Sequence, residues 1–115
     1  MIGSDELRHL VLSLPEVEER DHHGMPSFRV GGKIIATVPD PGHLRVMAGD
    51  AEIRAAIAED PETYRPFHWG KRLACVVVDL ARVDPAGLEQ LVAEAWLGKA
   101  PARLARAFRG RQSNS

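Results

Sequence analysis

The stretch from Arg20 to Val38, RDHHGMPSFRVGGKIIATV, decides the fold. Ser27 to Val30 and Ile34 to Val38 carry alternating apolar and polar residues, the pattern of half-buried strands. Gly31-Gly32 between them supplies the backbone freedom of a hairpin turn. Two registers are available. A two-residue loop pairs Val30 with Lys33 and puts Arg29 on the face of Ile34, Ala36 and Val38. A three-residue loop, Gly31-Gly32-Lys33, pairs Val30 with Ile34, so that Phe28, Val30, Ile34, Ala36 and Val38 share a face. Burial favours the second, because a slip of one residue turns every side chain to the opposite side.

The surroundings extend the sheet. Upstream, Ser4 is expected to cap a helix with Leu7, Leu10, Val11 and Leu14 on one face, ended by Pro15. Glu16 to Arg20 reads as a charged edge strand. Downstream, Pro39-Asp40-Pro41-Gly42 is a turn, His43 to Met47 a strand, and Asp50 the cap of a helix stopped by Asp60-Pro61. Tyr64 to Gly70 reads as an irregular aromatic loop. Leu73 to Leu80 is apolar on both faces, which predicts a central strand covered on both sides. Asp84-Pro85 opens a helix with Leu88, Leu91, Val92, Ala95 and Trp96 inward and Gly98 at its end. Ala100 to Phe108 reads as one more short helix. The order predicts an α+β, two-layer domain: an antiparallel sheet of about five strands with three to four helices. Residues 1–109 form that single domain, and 110–115 a flexible polar tail.

Composition agrees with one ordinary globular domain: 115 residues, 44% hydrophobic and 27% charged. The single Cys75 suits a reducing compartment. Acids precede the first apolar stretch, where a signal peptide carries basic residues. The expected location is the cytoplasm, with no membrane association. The net charge is −1, but its distribution is uneven. After Glu94 come Lys99, Arg103, Arg106, Arg109 and Arg111 and no acid, a tail of +5; the rest of the chain holds 10 basic and 16 acidic residues, or −6. Such asymmetry points weakly to an anionic partner.

No residue pattern demands chemistry. His22 and His23 would point to opposite faces of a strand, and no HExxH, paired CxxC or His-x-His accompanies them. Gly31-Gly32-Lys33 lacks the following helix of a phosphate loop. Cys75 sits among valines, where a thiol is not activated. Phe67-His68-Trp69-Gly70-Lys71-Arg72 interleaves aromatic and basic residues, which can stack on bases and pair with phosphates. A loop plugging the core has the same composition, and Trp69 is expected to be core. No catalytic residue, cofactor or metal is expected.

The chain resembles the MmcQ/YjbR family of small bacterial proteins. The resemblance rests on Leu14-Pro15, on His23-Gly24-Met25-Pro26-Ser27-Phe28-Arg29, on Gly32-Lys33-Ile34-Ile35-Ala36, on Tyr64, on Trp69-Gly70-Lys71, on the Val76 to Leu80 strand and on the helix ending near Trp96. It covers about residues 4–104. It implies an antiparallel sheet with helices on it, similar to the secretion-chaperone architecture, and a "double-wing" shape from which DNA binding has been inferred. The Arg29 to Lys33 hairpin would be one wing and the Trp69 to Arg72 turn the other.

Three functions follow as expectations. A DNA-binding module would use Arg29, Lys33, Lys71, Arg72, Arg103 and Arg106 on phosphates. A protein-interaction module, chaperone-like or dimerising, would cover a sheet face that the helices leave bare. A small-molecule binder would gather His22, His23, Met25 and Trp69 around a pocket.

Overall fold

The computed structural model describes residues 2–113, with side chains through residue 110. The described residues form α1 (Ser4–Leu12), β1 (Glu18–His22), β2 (Met25–Val30), β3 (Lys33–Asp40), β4 (His43–Val46), α2 (Asp50–Glu59), β5 (Tyr64–Trp69), β6 (Arg72–Asp79), α3 (Pro85–Lys99) and α4 (Ala102–Ser113). The strands make one antiparallel sheet in the order β1-β2-β3-β4-β6-β5. This is the α+β two-layer architecture read from the sequence, with six strands and four helices.

The helices pack on one face of the sheet. Phe28, Ala36, Leu44, Val46, Val76 and Val78 line that face through direct cross-strand pairing, and each is buried. They meet Leu7 and Val11 of α1, Ile53 of α2, and Leu88, Val92 and Trp96 of α3 in one core. Asp84 caps α3 by accepting from the Gly87 amide at 3.2 Å, with Pro85 in the first turn. Trp96 is fully buried, and its indole Nε1 donates to the Pro15 carbonyl at 3.0 Å.

Several expectations are corrected. Gly3 and Gly49, not Ser4 and Asp50, cap α1 and α2, and Asp50 pairs with Arg54 instead. The charged edge strand β1 begins two residues later than expected. The aromatic loop is strand β5; Pro66 is tolerated because β5 is an edge strand, where a missing N–H costs no ladder bond. β6 lies one strand from the edge and is covered by helices on one side only. Gly98 lies inside α3, and α4 runs on to Ser113, so positions 110–113 of the expected tail are helical; 114–115 lie outside the described residues.

The hairpin register combines both candidates. At the tip Val30 pairs with Lys33 and Arg29 with Ile34, which is the two-residue loop; Gly31 and Gly32 have φ of 57° and 79°, the backbone of a type I′ turn. Beyond a bulge the pairs are Phe28 with Ala36 and Ser27 with Thr37, which is the three-residue register. Ile35 is the extra residue. It lets the loop take its preferred turn while Phe28 and Ala36 still share the core face.

Candidate nucleic-acid interface

The second face of the sheet carries no helix, and its residues are absent from the hydrophobic core cluster. Cross-strand pairing places one residue from each strand in a single row across it: Arg20, Ser27, Thr37, Arg45, Val77 and Arg65. Directly opposed residues share a face, so the row is set by the register itself. Alternation along β5 adds Phe67 and Trp69 to the same side as Arg65, and Trp69 pairs with Arg72 across the hairpin. Arg29 joins from β2.

The Arg45 guanidinium stacks over the Phe67 ring, 4.6 Å from its centroid. Ser27 and Thr37 are buried although no helix covers them. Arg29 Nε donates to Ser27 Oγ at 3.3 Å, and Ser27 Oγ donates to the Arg20 carbonyl at 2.8 Å. Cys75 lies beneath this layer, paired with Phe67. Burial pushes its thiol pKa up, partly countered by the charge of Arg45, so it is a structural thiol and not a nucleophile.

Arg8, Arg54, Arg82 and Arg103 form ion pairs with Glu19, Asp50, Glu62 and Glu16. Among the described residues, Arg29, Lys33, Arg45, Arg65, Lys71 and Arg72 have no carboxylate within ion-pair distance; Arg20, at the edge, is held by Glu18 at 2.9 Å. The end of the face near the β3–β4 turn is acidic: His43 Nδ1 contacts Asp40 at 2.9 Å and pairs across with Asp79. The His43 hydrogen bond, and after it the Gly42 amide, hold the Asp40 carboxyl below its usual pKa.

Two hairpins extend beyond the rest of the sheet at one end. β4 stops at Val46, opposite Ala36 and Val76, while the β2–β3 and β5–β6 hairpins continue past it to Gly31-Gly32 and Gly70-Lys71. Both tips therefore project from the same end of the sheet, by roughly 10 Å, with about two strand spacings between them. Lys33 stands at one tip, Lys71 and Arg72 at the other.

Of the residues picked from sequence, Arg29, Lys33, Lys71 and Arg72 come together on this face and its tips. Arg103 and Arg106 do not. α4 packs against α3, with Phe108 and Trp96 ring centroids 5.0 Å apart, and Arg103 contacts Glu16 of its own chain at 3.3 Å. Arg45 and Arg65 were missed, and Trp69 is 73% exposed and not core. The proposed pocket does not form: His22, His23 and Met25 lie at the β1–β2 turn, and Trp69 sits at the opposite edge and opposite end of the sheet. His23 occupies a left-handed turn conformation (φ 53°), which brings the two histidine rings edge to face at 4.5 Å instead of on opposite sides. His22 Nδ1 accepts from Arg29 at 3.3 Å. Among the described residues no three His, Cys, Asp or Glu side chains converge on a point that could hold a metal. No helix among them is long and apolar enough to cross a membrane.

The class defined by this geometry is a two-layer α+β domain with one bare, arginine-lined sheet face and two projecting hairpins. The family model YjbR matches residues 12–97, and the chain belongs to the YjbR family. It is similar to the uncharacterised proteins Rv2570 of Mycobacterium tuberculosis and Mb2600 of Mycobacterium bovis, each 29% identical over 123 aligned residues that span 90% of this chain and 93% of theirs. It also shares its fold with the crystal structure of Deinococcus radiodurans protein DR2400, which carries family-model domain DUF419. That match has a TM-score of 0.72 at 21% identity and covers 84% of this chain and 78% of the other.

Proposed function

We propose that the chain is a non-catalytic DNA-binding module whose contact surface is the bare sheet face and its two hairpin wings. One observation carries this reading: Arg29, Arg45, Arg65 and Arg72 lie on one sheet face without a carboxylate in ion-pair distance, and Lys33 and Lys71 stand at the two hairpin tips at one end of that sheet. Phosphate neutralisation by such groups supplies most of non-specific nucleic-acid affinity. The face favours this over a protein-docking role, because Arg20, Arg65 and Arg72 are exposed on it and break up its apolar surface.

The test is fluorescence anisotropy with labelled DNA, single- and double-stranded, from low salt to physiological salt. Saturable binding that weakens linearly in log–log form with salt is expected. Arg45→Gln with Arg65→Gln should weaken it about tenfold or more at low salt, taking each phosphate contact as a charge-assisted hydrogen bond. Absence of binding to either form at low salt would overturn the reading.

A further inference from the structure

The charge pattern on the sheet face does not by itself distinguish one strand of nucleic acid from two. The aromatic residues do. Arg65, Phe67 and Trp69 alternate along β5 on the bare face, Arg45 stacks on Phe67, and Arg72 is paired with Trp69. Trp69 is the most exposed large apolar side chain among the described residues, at 73%, and it stands between cations. Exposing an indole at a hairpin tip is unfavourable unless something covers it. Nothing among the described residues does.

From the exposed indole and the arginine row we infer that the face takes a single strand, its backbone following Arg45, Arg65 and Arg72 and an unpaired base stacking on Trp69. This rests on the nucleic-acid reading above and narrows it to a ligand class. Three physical points favour one strand. Bases in a duplex have their faces covered by neighbours, so an exposed ring gains nothing from them without unstacking; bases of a single strand are free to stack. The net charge of −1 gives no strong long-range field, and stacking supplies a contribution that salt does not screen. The row is also interrupted. Ser27, Thr37 and Val77 separate the arginines, which spaces the cations along a track that runs across the strands. The chemistry shared by DNA and RNA single strands, a phosphate chain with free base faces, is what the face reads, since no group on it is placed to single out a 2′-hydroxyl.

Trp96 is fully buried, so a change in tryptophan emission on binding reports Trp69. The full chain is titrated with a thymidine oligonucleotide of about 20 nucleotides, with the matching uridine oligomer, and with the adenine–thymine duplex of the same length, following both tryptophan emission and the anisotropy of a labelled end. Expected are quenching by the single strands, at least tenfold weaker binding of the duplex, and about tenfold weaker single-strand binding by Trp69→Leu, restored in part by Trp69→Phe. Tight binding of either the thymidine or the uridine strand supports the inference, and the pair shows which sugar is preferred. Duplex binding as tight as single-strand binding, with no quenching and no effect of Trp69→Leu, overturns it while leaving the DNA-binding reading intact. No binding of any probe at low salt overturns both. Because Trp69 is exposed, its substitutions leave the core untouched, and Trp96 emission in the variants verifies folding.

Discussion

Thr63 is 2% exposed, and its hydroxyl donates to Asp60 Oδ2 at 2.6 Å while its amide donates to Oδ1 at 3.3 Å. This pair closes the turn between α2 and β5 and so fixes where the strand bearing Arg65, Phe67 and Trp69 begins. The Thr63 hydroxyl, then the amides of Thr63 and Glu62 and the charge of Arg82, hold the Asp60 carboxyl below its usual pKa. A carboxyl depressed in the folded state stabilises that state above its unfolded value, and the contribution is lost as pH falls through the folded one. Asp60→Asn should therefore lower the urea midpoint at pH 7. The gap to the unsubstituted protein should narrow as pH drops below about 4, the ordinary carboxylate range. A gap of constant size from pH 7 to pH 3 would mean that packing of Thr63, and not the ionised carboxylate, holds the turn.

At the scale of elements, the β2–β3 wing depends on two glycines with different surroundings. Both have left-handed backbone, but a methyl on Gly31 would stand 3.3 Å from Pro101 at the start of α4, whereas one on Gly32 meets open space. Gly32→Ala should cost about 1 kcal/mol from backbone strain alone, and Gly32→Asn less, since asparagine accepts this conformation. Gly31→Ala should cost more than Gly32→Ala, because the wing is pressed against α4. Urea unfolding of the three variants checks the order, and equal costs at both positions would show that α4 does not bear on the hairpin. The hairpin's existence was legible in the sequence, because Gly-Gly between alternating strands is a local signal. Its register was not, because a bulge at Ile35 answers to burial across the whole sheet. β5 was hidden for a related reason: Pro66 reads as a strand breaker, and only its edge position excuses it. The site followed the same division. Arg29, Lys33, Lys71 and Arg72 flank visible turns, so they could be picked out locally. Arg45 was visible only as the polar alternate of a strand, and Arg65 only as part of a loop. The row joining them exists through pairings among strands distant in sequence, which no single segment encodes.

At the scale of the whole molecule, a chain of net charge −1 gathers arginines on one sheet face, beside Glu18 and Asp79, because other acids are placed elsewhere. Glu52 and Glu59 on α2 and Glu89 and Glu94 on α3 belong to the helix layer, and four arginines are tied to carboxylates through the ion pairs named above. The sequence draws attention to the +5 tail, yet the folded chain turns α4 onto α3 and neutralises Arg103 with Glu16. The sheet face, from segments of unremarkable charge, carries Arg29, Arg45, Arg65 and Arg72 outside any ion pair. These two sources of positive charge separate by salt dependence. For a single strand, each phosphate contact contributes about 0.7 to the slope of log affinity against log salt. Arg45→Gln with Arg65→Gln should therefore reduce that slope by about 1.4, whereas Arg103→Gln with Arg106→Gln should leave it within error of the unsubstituted value. Both pairs remove two charges, so a general field effect would change the two slopes equally. The measurement thus asks whether affinity belongs to the sheet or to the chain's total charge. A larger loss of slope from the α4 pair would transfer the contact surface from the sheet to the helix.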